Sequence, residues 1–321
     1  MQKLFITILL SLVISKAYSQ TNKDTIRLAD PTIFYENNTY YLYGTGRPDG
    51  FPVYTSTDLT HWKSHSTNAL LKGDSYGNKG FWAPQLFKHN GKYYMAYTAD
   101  EHIAIAVSDN PLGPFVQSVH KPISMQGKQI DPFIFKNTNG DLYLYFVRLQ
   151  NGNRIFEARL KNDISDIDET TITECINAEQ PWENTANAAW PVSEGPTVIK
   201  TAGLYYLLYS ANDFRNPDYA VGYATSASPI GPWVKYNKNP ILSRKNTLQN
   251  GSGHGDLFLA KDGQTYYVFH THKSDNEVGT RKTAIVRLAF SNSNPSHISV
   301  VPGSFHYLEY EDATVQSSKN K

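Results

Sequence analysis

One arrangement recurs five times along this chain, and it limits the possible folds more than any other feature. An X-Pro pair or its counterpart is followed, eleven or twelve residues after the first residue, by a tyrosine. The pairs are Asp30-Pro31, Ala83-Pro84, Asp131-Pro132, Gly195-Pro196 and Gly255-Asp256, and the tyrosines are Tyr41, Tyr94, Tyr143, Tyr206 and Tyr266. The aromatic tails read Tyr-Tyr-Leu-Tyr, Tyr-Tyr-Met-Ala-Tyr, Leu-Tyr-Leu-Tyr-Phe, Tyr-Tyr-Leu-Leu-Tyr and Tyr-Tyr-Val-Phe-His. Between head and tail stand Asn37-Asn38, Asn90-Gly91, Asn139-Gly140, Ala202-Gly203 and Asp262-Gly263, pairs that suit tight hairpin turns because they tolerate positive φ. Further strand-like runs follow in each unit, such as Ile103-Ala104-Ile105-Ala106-Val107 and Tyr219-Ala220-Val221-Gly222-Tyr223. Five units of about four strands, spaced 48–64 residues apart, predict an all-β chain folded as a five-bladed β-propeller with about four antiparallel strands per blade. No stretch with helical periodicity competes. Residues 163–190 read as an insertion on one rim, residues 298–310 as the completion of the last blade, and the tail from about residue 311 as frayed.

Residues 1–19 stand apart from the repeat. Lys3, the apolar run Leu4–Ile14 and the small-x-small site Ala17-Tyr18-Ser19 read as a signal peptide, too short to span a bilayer. Residues 20–321 are then one propeller domain, exported to the periplasm or the outside of the cell. A single cysteine, Cys175, excludes an internal disulfide and a cysteine-rich zinc site, and reads as a buried, inert thiol. Basic and acidic side chains nearly balance, 30 against 29, which speaks against nucleic acid or an anionic membrane as partner.

In a propeller the first strand of each blade lies beside the central channel, so the five heads converge at one end of the axis. Here they are Asp30, Trp82-Ala83, Asp131, Glu194-Gly195 and His254-Gly255. The repeat explains why a hairpin recurs but not why three heads are acidic, because like charges held together are unfavourable. Three convergent carboxylates suit glycoside hydrolysis: one ionised to activate water, one protonated to donate to the leaving oxygen, one to tune the donor. An acid and a base on separate blades leave room for the water, which favours inversion. The remaining residues receive plainer readings. His61 and His65 are a surface pair, His270-Thr271-His272 is packing or a polar rim, Trp62 and Trp233 pack blades, and Asp100-Glu101 is a solvated turn. Asn184–Trp190 is a candidate to shape the pocket from the insertion, and Tyr35, Arg47 and Phe51 are further candidates from the first blade.

With Trp82-Ala83-Pro84 and Gly253-His254-Gly255 in support, the motifs Asp30-Pro31, Asp131-Pro132 and Glu194-Gly195-Pro196 resemble glycoside hydrolase family 43 over roughly residues 25–310. The resemblance implies inverting hydrolysis of arabinose- or xylose-containing glycans with no cofactor for the chemistry. It implies Asp30 as general base, Glu194 as general acid and Asp131 as the residue that orients the acid and sets its pKa. Trp82 would line the sugar pocket, and Arg281, in a looser motif, matches an arginine that contacts substrate or the acid/base pair. His254 matches an axial histidine that in many members contacts a calcium or other cation, often through water. Retaining propeller relatives such as invertases differ at the flanking positions, where this chain has Leu28-Ala29 before Asp30 and Gly195 after Glu194. The activity expected first is an α-L-arabinofuranosidase. The alternatives are a β-D-xylosidase, an endo-arabinanase or a galactan-directed glycosidase and, in another class, a non-catalytic carbohydrate-binding propeller.

Overall fold

Hairpins form where the chain tolerates the left-handed backbone. Asn37-Asn38, Asn90-Gly91 and Ala202-Gly203 each place two successive residues at φ between 48° and 80°, the conformation that matches the twist of paired strands. A computed structural model describes residues 23–293 and 295–311, so the expected signal peptide and most of the tail lie outside the described residues. The described residues form five antiparallel blades and two further two-stranded ribbons, Lys23–Thr25 with Glu309–Glu311 and Gly50–Phe51 with Leu70–Leu71. Blade I holds Ala29–Glu36, Thr39–Thr45, Tyr54–Ser56 and Lys63–Ser64, and blade II holds Trp82–His89, Lys92–Ala99 and His102–Ser108. Blade III is Gln129–Lys136, Leu142–Leu149, Asn153–Leu160 and Thr173–Ile176. Blade IV is Ser193–Thr201, Leu204–Ala211, Ala220–Ser226 and Val234–Lys235, and blade V is Gly253–Leu259, Thr265–Thr271, Lys282–Phe290 and Ile298–Val300. The first strands of successive blades pack on one another in a closed ring around the axis.

The tyrosine doublets follow from this geometry. Successive residues of a strand face opposite sides of its sheet. In a ring of blades each side meets a different neighbour, so an aromatic pair supplies both gaps. Tyr205 packs between blades III and IV while Tyr206 packs between IV and V, and Tyr40 and Tyr41 likewise serve opposite faces of blade I. Five apolar clusters result, one in each gap. The ring closes through both described ends. Lys23–Thr25 pairs with Glu309–Glu311, Ile26 exchanges backbone hydrogen bonds with Leu308 and Thr283, and Tyr310 bridges to Trp62 at the edge of blade I.

Three expectations need correction. Blade II has three strands, and a single bridge from Val107 to Val116 takes the place of a fourth. The span 163–190 is not wholly an insertion, since Thr173–Ile176 is the outer strand of blade III and only the segment after it runs over the rim. The span 298–310 is divided: Ile298–Val300 completes blade V, His306–Tyr307 pairs beside it, and Glu309–Glu311 joins the N-terminal strand.

Beneath the heads, Asp256 ties three blades together. Its two oxygens accept from Thr32 (2.7 Å) and Thr197 (2.6 Å), and all three residues are buried. Asp256→Ala leaves two buried hydroxyls without acceptors, and chemical denaturation is expected to show a loss of about 3 kcal/mol.

Candidate active site

Each first strand carries a β-bulge at the same place, and the bulge positions the site. One residue at the bulge adopts positive φ: Asp30 (48°), Ala83 (46°), Asp131 (56°), Gly195 (58°) and His254 (45°). These five are structural equivalents and form a ring about the axis. One detail of the sequence alignment therefore shifts by one residue. In blade V the head is His254-Gly255, not Gly255-Asp256. In blade IV the bulge residue is Gly195, so Glu194 stands one position before Asp30 and Asp131, in line with Ala29, Trp82, Ile130 and Gly253. Side chains from both positions line one cavity of about 430 Å³, where Asp30, Asp131, His254, Trp82, Glu194 and Arg281 all meet. All six sequence candidates are thus brought together. Tyr35, Arg47 and Phe51 are not among the residues lining it: Tyr35 stacks on Tyr40, Arg47 bonds to Asn68, and Phe51 is core.

The bulge turns a backbone N–H toward the preceding blade. Asp131 donates to Thr98 Oγ1, Ala83 to Thr45 Oγ1, His254 to Ser210 Oγ, and Asp30 to His270 Nδ1. Thr45, Thr98, Ser210 and His270 occupy one equivalent place on the second strands. In blade III that place is Val147, which offers no acceptor, and the Gly195 N–H donates instead to Asp131 Oδ2 at 3.2 Å. Loss of one hydroxyl from the repeat thereby orients one carboxylate.

The three carboxylates are buried yet differ in environment. Burial raises the pKa of Asp30, but Arg281 Nη1 at 3.1 Å, His254, His270 and the Thr45 hydroxyl at 2.7 Å outweigh it and hold the carboxyl well below the usual range. Burial pushes Asp131 well above that range, and the nearby charges of Glu194 and Asp30 push the same way. Burial raises Glu194 to about 7, against the hydrogen bonds it accepts from Tyr219 (2.8 Å, on Oε1) and Asn153 (2.8 Å, on Oε2). Two neighbouring carboxyls with raised values and one with a lowered value is the asymmetry that acid/base work requires.

His270 corrects the sequence reading as packing or rim. It is fully buried, its Nδ1 lies 3.4 Å from Asp30 Oδ1 and its Nε2 lies 3.3 Å from Arg281. Burial and then Arg281 drive its pKa well down, so the ring is neutral. It stacks on Tyr219 at 5.7 Å, which joins the surroundings of Asp30 to those of Glu194. Its equivalence to Thr45, Thr98 and Ser210 is a repeat signal available in the sequence. Tyr219 and Asn153 lie off the repeated heads and carry no such signal. Arg281 also rests over the Phe214 ring at 4.6 Å. Gly195 is needed beside His254, since a Cβ there would stand 2.8 Å from the imidazole.

Among the described residues no three His, Cys, Asp or Glu side chains converge as ligands for a cation. A small axial cavity of about 20 Å³ lies beneath the heads, lined in part by His254, Asp131 and Asp256.

A five-bladed propeller whose axial cavity gathers three unequal carboxylates and an exposed tryptophan is a glycoside hydrolase. The chain belongs to glycosyl hydrolases family 43, which it matches over residues 25–295. It acts on O-glycosyl bonds with inversion, and its chemistry needs no cofactor. It is 25% identical to a β-D-galactofuranosidase of Aspergillus niger, over 83% of this chain and 80% of that one. It is 27% identical to a non-reducing end α-L-arabinofuranosidase of Bacteroides ovatus, over 74% of this chain but only 45% of the longer relative. A solved structure described as an endo-1,4-β-xylanase from Bacteroides thetaiotaomicron superimposes with a TM-score of 0.85, at 41% identity, covering 91% of this chain and all of that one.

Proposed function

We propose that this glycoside hydrolase releases pentose units from arabinose- or xylose-containing glycans, α-L-arabinofuranosyl groups first among them. The hydrolytic chemistry is supported by the split within one cavity between Asp30, held ionised, and Glu194, raised to about 7, and the choice of sugar by relatives named as α-L-arabinofuranosidases. In this reading Asp30 takes a proton from water as its oxygen attacks the anomeric carbon. Glu194 gives its proton to the departing glycosidic oxygen as that bond breaks. The nearby charge of Asp30 discourages a second charge on Glu194 and so helps to keep the acid protonated, while Asp131, buried beside the pair, adds to the cost of any further charge there. Each turnover leaves Asp30 protonated and Glu194 ionised, and exchange with solvent resets the pair. Trp82, 39% exposed at the cavity, offers an aromatic face to a sugar ring, and Arg281 and His254 hold Asp30.

The 41% identity to a structure described as an endo-1,4-β-xylanase favours a second reading, in which the enzyme cuts a xylan backbone. Arabinofuranosides, xylosides and galactofuranosides of para-nitrophenol, together with arabinoxylan and linear xylan, separate the two when the product anomer is followed by proton NMR. Release of arabinose supports the first reading, and xylo-oligosaccharides without release from aryl glycosides support the second. Extracellular relatives such as an exo-α-(1→5)-L-arabinofuranosidase of Cellvibrio japonicus support export, with residues 1–19 as the signal.

A calcium or other cation near His254 would have to be held largely through water. Dialysis against a chelator is expected to leave turnover and melting temperature unchanged. A fall in either that added calcium restores would establish a resident ion.

A further inference from the structure

Trp190 closes the rim segment that precedes blade IV. It is half-exposed and its indole lines the same cavity as Glu194. Its Nε1–H donates to Asn153 Oδ1 at 2.9 Å, and Asn153 Nδ2 in turn donates to Glu194 Oε2 at 2.8 Å. We propose that Trp190, acting through Asn153, is a positioning residue for the proton-donating step, separate from any contact its indole face makes with sugar. This rests on the reading of Glu194 as the acid.

A carboxamide presents an oxygen or an NH2 group according to which way it is turned. An indole nitrogen only donates. Trp190 therefore obliges Asn153 to turn its oxygen toward the indole and its NH2 toward Glu194. In that orientation Asn153 favours the carboxylate, the form that Glu194 reaches once its proton has passed to the leaving group. It thereby offsets part of what burial costs the ionised acid. Without the indole N–H, the amide is free to turn its oxygen to the protonated carboxyl, which favours the acid and opposes transfer.

The frame around the relay does not depend on the indole. Asn153 N–H donates to the Pro191 carbonyl at 2.9 Å, and Gly152, at φ 115°, lets that carbonyl approach where a Cβ would meet it at 2.5 Å. Further back, fully buried Glu183 anchors the rim segment by accepting from Lys235 (2.8 Å), Tyr209 (2.5 Å) and the amides of Glu179 and Gln180. Trp190→Phe thus removes one N–H and keeps an aromatic face on a segment held elsewhere.

The test compares Trp190→Phe, Asn153→Ala and the double variant on aryl glycosides of the accepted sugar, with phenol and 2,4-dinitrophenol as leaving groups. Trp190→Phe is expected to lower kcat about tenfold on the phenyl substrate, the effect of one hydrogen bond to a charged group. On the dinitrophenyl substrate, which needs little protonation, kcat is expected to change less than about twofold. The alkaline limb of the kcat profile should move up in both single variants, and the double variant should be no worse than Asn153→Ala. A rise in KM alone, with leaving-group dependence and pH profile unchanged in both single variants, would overturn the relay and leave Trp190 as a sugar platform. If Glu194→Gln itself shows no dependence on the leaving group, the failure lies in the assignment of the acid instead.

Discussion

Glu194→Gln is expected to yield an enzyme that has lost about 10³-fold or more in kcat on natural glycans and phenyl glycosides, yet keeps most of its rate on dinitrophenyl glycosides. Protonation of a poor leaving group contributes about 10²- to 10⁴-fold, and a stable phenolate makes that contribution dispensable. The pH dependence gives an independent reading. Glu194 must carry its proton to act, and burial raises it to about 7. The wild-type rate should therefore hold below that value and fall as pH rises through it. In Glu194→Gln, assayed on the dinitrophenyl substrate, the fall should vanish. Stopped steady-state assays across the pH range check both statements. An unchanged alkaline limb would remove Glu194 from the role. Glutamine is the informative replacement because Tyr219 and Asn153 both contact the carboxylate, and a smaller residue would confound lost chemistry with lost packing.

The fold was legible because its signal is repetition. Any one hairpin, such as Asp30 to Tyr43, is consistent with many β folds, but five copies at blade spacing admit few. The aromatic doublets were legible as scaffold for the same reason, and the packing of Tyr205 and Tyr206 into opposite gaps gives the physical cause. What the repeat could not show was register at single-residue precision. In blade V the aligned pair was Gly255-Asp256, but the bulge falls on His254; in blade IV Gly195 stood in the place of Asp131 as aligned, and what stayed hidden was that the bulge lets Glu194 reach the same cavity from one position earlier. Asn153 and Tyr219 were beyond sequence reasoning in a stricter sense, whereas Trp190 was reached as the end of the candidate segment 184–190 and does line the cavity. Asn153 opens the third strand of blade III and Tyr219 immediately precedes the third strand of blade IV, and both meet Glu194 only through tertiary packing. His270 lay between these cases. Its neighbour-blade equivalents are threonines and a serine, so its repeat position was readable, whereas its contact with Asp30 depends on how the bulge directs the amide.

Asp30→Asn is expected to abolish turnover on every leaving group, the dinitrophenyl glycoside included, and that uniform loss distinguishes it from Glu194→Gln. The reason lies in which bond each residue serves. A good leaving group relieves the enzyme of protonating the departing oxygen but does nothing for the attacking water, which still needs a base. The environment of Asp30 suits that task, because Arg281 and the Thr45 hydroxyl hold it ionised despite burial. A loss of about 10³-fold or more in kcat is expected, with sugar binding measured by calorimetry nearly intact, since asparagine occupies the same space. Azide needs no base to attack. Added to Asp30→Asn with the dinitrophenyl substrate, it should restore turnover and release a glycosyl azide of inverted configuration, identifiable by NMR. A retained configuration would mean that attack passes through a covalent intermediate on the enzyme, and wild-type turnover in Asp30→Asn would place the base elsewhere. Asp131→Asn offers the contrast. It keeps a group that can accept from the Gly195 amide, so its effect should fall mainly on the alkaline limb that Glu194 sets, leaving activation of water by Asp30 in place.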